Sequence, residues 1–190
     1  MSIINIVGLD PSLRNWGIAK GTFNTVTGQV LIPFVDVIQP VLPTGKQVRQ
    51  NSKDLEAAQQ LYAGVYPYLK DAQAVFVEVP IGSQSARAMC GYGLCVGILG
   101  GLRASGFPFF EVTPTEVKLI AAGSKTANKS EMIAWATTAH PEACWPTYKQ
   151  HGQSVVSEAK AEHMADAAAA IYAGLASNPF KQTLPFRRAA

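Results

Sequence analysis

Ile3-Ile4-Asn5-Ile6-Val7-Gly8-Leu9-Asp10-Pro11-Ser12-Leu13-Arg14 is the stretch on which the fold turns. Positions 3–9 form a nearly unbroken apolar run, as expected of a central strand buried on both faces. The run ends in Asp10, so a carboxylate stands at the rim of the sheet, where the last strand residue leaves the core. Outward from it, 17–23 and 30–38 read as two further strands. Between them, 24–29 carries Asn, Thr and Gly, a hairpin composition. Connections this short make the first three strands antiparallel, and Pro33 confines the third to an edge or a bulge.

The chain then alternates. Val48, Leu55, Ala58, Leu61, Tyr62, Val65 and Leu69 fall mostly at helical spacing over 47–69. A strand over 74–79 contains Glu78 and is stopped by Pro80. An apolar helix follows over 84–105, then a short strand over 107–112. Thr113, Pro114 and Glu116 mark the start of the next helix as a capping box with proline in its first turn, and Gly123 ends it. Asn128 and Glu131 mark another start, for a helix reaching 139. The polar segment 140–156 shows no periodicity, and 159–176 is a last helix. This order implies an α/β fold: a mixed five-stranded sheet, three antiparallel strands followed by parallel ones, with helices on both faces. Residues 1–178 make one domain, and 179–190 read as a basic C-terminal tail.

Bulk properties agree. A chain of 190 residues suits one domain, and 48% hydrophobic with 15% charged residues describes a globular protein. The formal charge of +3 is compatible with a nucleic-acid partner without requiring one. Cys90, Cys95 and Cys144 form no CxxC pair and read as reduced thiols of a cytoplasmic protein. No signal-peptide pattern is present at the N-terminus. The apolar run 88–102, bracketed by Arg87 and Arg103, is shorter than the roughly 20 residues of a membrane span, so no membrane partner is expected.

Three groups of residues can carry chemistry. Asp10 at a strand end can hold a divalent ion; alone, it would equally serve as the cap of the turn before Pro11. Glu78 sits among Val75, Phe76, Val77 and Val79, where an ionised side chain needs a reason or an edge position. Glu162, His163 and Asp166 begin the last helix, and the spacing puts His163 and Asp166 on one face. Ala165 and Ala167 to Ala170 are small and allow that helix to approach the sheet closely. A solvated polar face is the alternative. Together, two strand-end carboxylates and one helical carboxylate supply what two-metal phosphoryl transfer requires.

Gly8-Leu9-Asp10-Pro11-Ser12-Leu13-Arg14 through Gly17, then Phe76-Val77-Glu78, Phe110-Glu111-Val112, Val117-Lys118, Asn128-Lys129-Ser130 and His163-Met164-Ala165-Asp166-Ala167, resemble in order the RuvC family of Holliday-junction resolvases. The resemblance implies the ribonuclease-H-like fold. It also implies a homodimeric endonuclease that cuts four-way or branched DNA with two magnesium or manganese ions. Asp10, Glu78 and Asp166 would be metal-binding and catalytic carboxylates. His163 would occupy a fourth position as metal ligand or proton-transfer group. Lys118 and Lys129, with Lys125, would touch phosphate, and Arg14 and Ile81 would be further DNA contacts. The sequence departs from the family in three places. Ser12 stands where Gly is usual, the loop after Glu78 lacks a wedge aromatic and offers Ile81 instead, and 140–157 is longer than in a minimal member.

Gly93, Gly97 and Gly101 recur every four residues on the apolar helix, with Gly100 beside the last. They fit either helix-on-sheet packing or a two-fold dimer contact. In the tail, Gln182, Leu184 and Phe186 match the spacing of a peptide that docks on the replication sliding clamp; a basic tail that helps hold DNA is the other reading. Alternatives for the whole protein are a nuclease of the same fold acting on RNA, hybrids or flaps, and a non-catalytic junction-binding protein. An actin-like or sugar-kinase-like ATPase would need a second lobe and a second phosphate loop. The setting is the bacterial cytoplasm, or a host cytoplasm for a phage or mobile-element enzyme.

Overall fold

The computed structural model describes residues 3–45 and 47–189. β1 (Ile3–Asp10), β2 (Trp16–Asn24), β3 (Val30–Ile38), β4 (Ala74–Glu78) and β5 (Phe109–Val112) form one sheet in the order β3-β2-β1-β4-β5. The β1/β2 and β2/β3 pairs are antiparallel, and β1/β4 and β4/β5 are parallel, as the sequence implies. β3 is an edge strand, and its pairing with β2 shifts between Lys20 and Thr22. Pro33 therefore lies on an edge and beside an irregularity, where its missing N–H disrupts no central ladder.

The apolar run of β1 divides by alternation. Ile4 and Ile6 join one core with Ala74, Phe76, Met164, Ala167, Ala168 and Ile171. Val7 and Leu9 join the opposite core with Val75, Val77, Leu61, Val65, Cys95, Leu99 and Leu102. Both faces are covered, which is why the strand reads as continuously hydrophobic. The first core lies under α5 (Glu158–Ala176), and the second under α1 (Gln50–Leu69) and α2 (Ala86–Ala104). Arg87 of α2 grips the buried Asp54 of α1 through its two terminal guanidinium nitrogens, at 2.7 and 2.6 Å.

α3 (Pro114–Ala122) and α4 (Lys129–Ala139) pack beside α5 through Val117, Met132, Ile133 and Ala136. Both helices start with complete capping boxes, Thr113/Glu116 and Asn128/Glu131, and Gly123 closes α3 in the left-handed region. A helix cap is worth about 1 kcal/mol, so the sequence signals mark real boundaries.

Two segments are more ordered than their sequences suggest. The aperiodic segment contains β6 (Thr147–Gln150) and β7 (Gln153–Val156), an antiparallel hairpin separate from the main sheet. It was not legible because nearly all of the ribbon is exposed, so no buried face imposes alternation. At the C-terminus, α6 (Asn178–Lys181) and α7 (Leu184–Ala189) fold back on the domain. Phe180 is fully buried against Phe23, Phe76 and Phe110, and Arg187 donates to the Gln73 carbonyl at 3.0 Å. A ring of that size gains roughly 2–3 kcal/mol by leaving water, enough to hold a short segment down.

Candidate metal-dependent active site

The site is assembled by register and by one close helix approach. In the parallel pair β1/β4, Leu9 lies opposite Val77, so the next residues, Asp10 and Glu78, emerge side by side at the sheet rim. α5 supplies the third wall. A Cβ on Gly17 would collide with the His163 carbonyl oxygen, and one on Gly8 with that of Ala167. Bare backbone at these two positions, facing an alanine-rich helix, lets α5 sit against β1 and β2 with almost no side chain between. His163 Nδ1 then comes within 2.7 Å of Asp10 Oδ2, and Asp166 follows three residues on along the same face.

Asp10, Glu78, His163 and Asp166 line one cleft of about 290 Å³, with Pro11, Ser12, Pro80, Ile81, Gly82, Tyr92 and Pro114. The four residues proposed from sequence therefore converge from three separate elements. A smaller adjoining recess of about 140 Å³ is lined by Lys118, Asn128, Lys129, Glu162 and Asp166. It brings Lys118 and Lys129 to the same carboxylate. Lys125 is exposed on the α3–α4 loop. Arg14 is exposed on the other flank, where its charge reaches Asp54. Ile81 is 77% exposed at the cleft mouth.

Burial and mutual repulsion dominate the electrostatics. Burial, and then the charges of Asp10 and Asp166, push Glu78 up to about 8 against the pull of Lys118. Asp166 rises to about 7 through burial, Asp10 and Glu162, with His163 and Lys118 opposing. Burial also raises Asp10, although the hydrogen bond and charge of His163 work against it. Burial disfavours a charged His163, but Asp10, Glu162 and Asp166 outweigh it and hold the imidazole above its ordinary value. Three partly desolvated carboxylates this close lack positive charge, and a hard divalent cation with oxygen ligands answers that deficit. Among the described residues no three His, Cys, Asp or Glu side chains are grouped, as they stand, so as to hold a metal ion by themselves. The donor set fits an open site, in which water and phosphate oxygens complete the coordination of magnesium or manganese.

Sequence reading missed one participant, Tyr92, and one contact of a residue it had named, Lys129. Tyr92 reaches the cleft from α2, and its only signal was one polar-tipped ring in an apolar helix. Lys129 is held by Glu162 at 2.7 Å, a pair joining the start of α4 to the start of α5; nothing in the sequence distance between them announced it. In the C-terminal segment Gln182 is exposed, Leu184 leans on the core, and Phe186 is 78% exposed.

No protein-family model and no curated protein matches the chain in sequence. Solved structures match it in fold. The chain is similar to Thermus thermophilus RuvC in complex with a Holliday-junction substrate, at 20% identity and a TM-score of 0.63, over 95% of this chain and 97% of that one. A second Thermus thermophilus RuvC structure matches at 17% identity and a TM-score of 0.59, over 90% and 97%. The fold is RuvC-like.

Proposed function

We propose that the protein is a structure-selective endonuclease that hydrolyses phosphodiester bonds in four-way or otherwise branched DNA. One observation carries the proposal: Asp10, Glu78, Asp166 and His163 line a single open cleft, and Lys118 and Lys129 line the recess that shares Asp166 with it. A pair of divalent ions, magnesium or manganese, would be held by Asp10, Glu78 and Asp166 with His163 at their edge. When bound, they would supply Lewis-acid activation of water and stabilise the leaving oxygen.

The chain's own residues have defined tasks. Asp10 Oδ2 accepts from Nδ1–H of His163, which fixes the imidazole and leaves Nε2 to carry or release a proton beside the attacking water. Lys118 and Lys129 hold the strand by its phosphates as flexible point charges. Ile81 offers an apolar side chain at the mouth of the cleft, where a base at a branch point would meet it. Binding through phosphates implies affinity that falls steeply with salt and depends little on sequence.

The same reading includes a two-fold dimer formed on α2. Ideal Cβ atoms on Gly93, Gly97 and Gly100 would meet nothing within 4 Å, so these glycines are not explained by internal packing, whereas one on Gly101, the third of the four-residue series, would lie 3.5 Å from the Tyr62 ring of α1. Met89 and Val96, each 45% exposed, lie on the same open surface. A second copy seated there would put two identical sites on opposite strands of a symmetric junction.

Cleavage of a synthetic four-way junction, a flap and an RNA–DNA hybrid with magnesium or manganese tests the proposal. The junction should be cut fastest. Asp10→Asn should lower its cleavage by at least about a thousandfold, on the scale of losing an essential group, while junction binding persists. A junction-binding scaffold would be unaffected by that substitution, and a preference for the hybrid would point to a different nuclease.

A further inference from the structure

We propose that the β6–β7 ribbon is a DNA-contacting arm that engages the duplex flanking the cleft; this rests on the nuclease reading above. The ribbon adds almost nothing to the core. Every residue from Thr147 to Ser154 is exposed, and only Val155 and Val156 at its root are partly covered. A free two-stranded ribbon is marginal in water, yet this one is braced. Ser157 N–H donates to the Pro146 carbonyl at 2.7 Å, closing the root. Trp145 Nε1–H donates to the His140 carbonyl at 2.8 Å, and the ring packs on two cores. His151 and Gly152 both take positive φ, at 48° and 80°. This two-residue turn has the twist that matches paired strands.

The side chains suit nucleic acid. From Ala143 to Ser157 there is no Asp or Glu, while Tyr148, Lys149, Gln150, His151, Gln153 and Ser154 offer donors, acceptors and positive charge. Lys160 adds an exposed charge on the first turn of α5. The pairing places Tyr148, Gln150 and Gln153 on one face, and Lys149 with Ser154 on the other. Such a ribbon fits the major groove, which admits two strands, with the lysine free for a phosphate. Its mounting also matters: the ribbon runs directly into α5, the helix that carries His163 and Asp166. Six helical residues from root to His163 span about 9 Å, and four strand residues add about 14 Å. Laid end to end these lengths set an upper bound on the reach of roughly 20 Å, about six base pairs of duplex.

The test measures binding without divalent metal, so it does not depend on cleavage. K149A/Q150A/Q153A alters only exposed side chains, and a melting curve checks its fold. In a second variant, Gly-Gly replaces 147–156, which the hydrogen-bonded root permits. Both should bind a long-armed junction about tenfold more weakly, with the salt slope reduced by about one. Wild type should lose the same factor when the arms are cut below about six base pairs, and the variants should not. Equal affinity of variant and wild type on long arms, or arm-length dependence that survives ribbon removal, would overturn the proposal. Failure of wild type to cut any DNA would instead overturn the nuclease reading.

Discussion

Gly8 and Gly17 lie beneath α5, where any Cβ would run into a helix carbonyl, whereas Gly93, Gly97 and Gly100 on α2 face open space. The first pair removes side chains so that two elements of one chain can touch, and that touch delivers His163 and Asp166 to Asp10. The second set removes side chains with no described residue in reach. A glycine inside a helix costs about 1 kcal/mol relative to alanine, and on α2 no internal contact offsets it. Bare backbone thus has two meanings here: under α5 it builds the site, and on α2, in the dimer proposal, it waits for a second copy.

The widest gap between the two sets should come from Gly17→Ala. The methyl group meets backbone, not a flexible side-chain end, so α5 must lift. We expect a loss of about 3 kcal/mol or more in urea unfolding, with cleavage reduced at least a hundredfold. Wild-type stability in this variant would break the link between close approach and site assembly.

Next in size is the consequence of that approach for the carboxylates. Glu78 holds its proton up to about 8 in the fold but releases it near the ordinary 4.5 when unfolded. The folded state therefore binds more protons between those values, and metal-free stability should fall as pH rises through that window. Glu78→Gln should abolish cleavage yet stabilise the metal-free protein by on the order of 1–3 kcal/mol at pH 8, with no gain at pH 4. Added magnesium should restore stability to wild type and not to the variant. A flat wild-type melting temperature from pH 5 to 8 would refute the crowded-carboxylate account.

The smallest effect tests the open glycines and should have the opposite sign. Gly97→Ala should leave the monomer unharmed or raise its stability by up to about 1 kcal/mol, while shifting the monomer–dimer balance toward monomer in light scattering. A destabilised monomer with an unchanged dimer would mean that α2 is closely packed after all, and the contrast with Gly17 would collapse.

Much of the fold was legible in the chain. The two-sided apolar run of β1, the hairpin composition after β2 and the two capping boxes are local signals, each caused by neighbours a few residues away. Asp10, Glu78, His163 and Asp166 stood out as ionisable groups that interrupt or adjoin apolar runs, each with a turn cap, an edge position or a solvated face as its alternative, and the ordered resemblance to the RuvC family singled them out. The sequence by itself determined those elements, their order and the four candidate side chains.

Only the tertiary structure decided which glycines touch, that Lys129 pairs with Glu162, that Tyr92 enters the cleft, and that Phe180 anchors the C-terminal segment. It alone revealed the β6–β7 ribbon. The physical reason is common to all of them. Periodicity records burial of one face of one element, whereas these features depend on distances between elements far apart in the chain, or on an exposed surface where burial leaves no pattern.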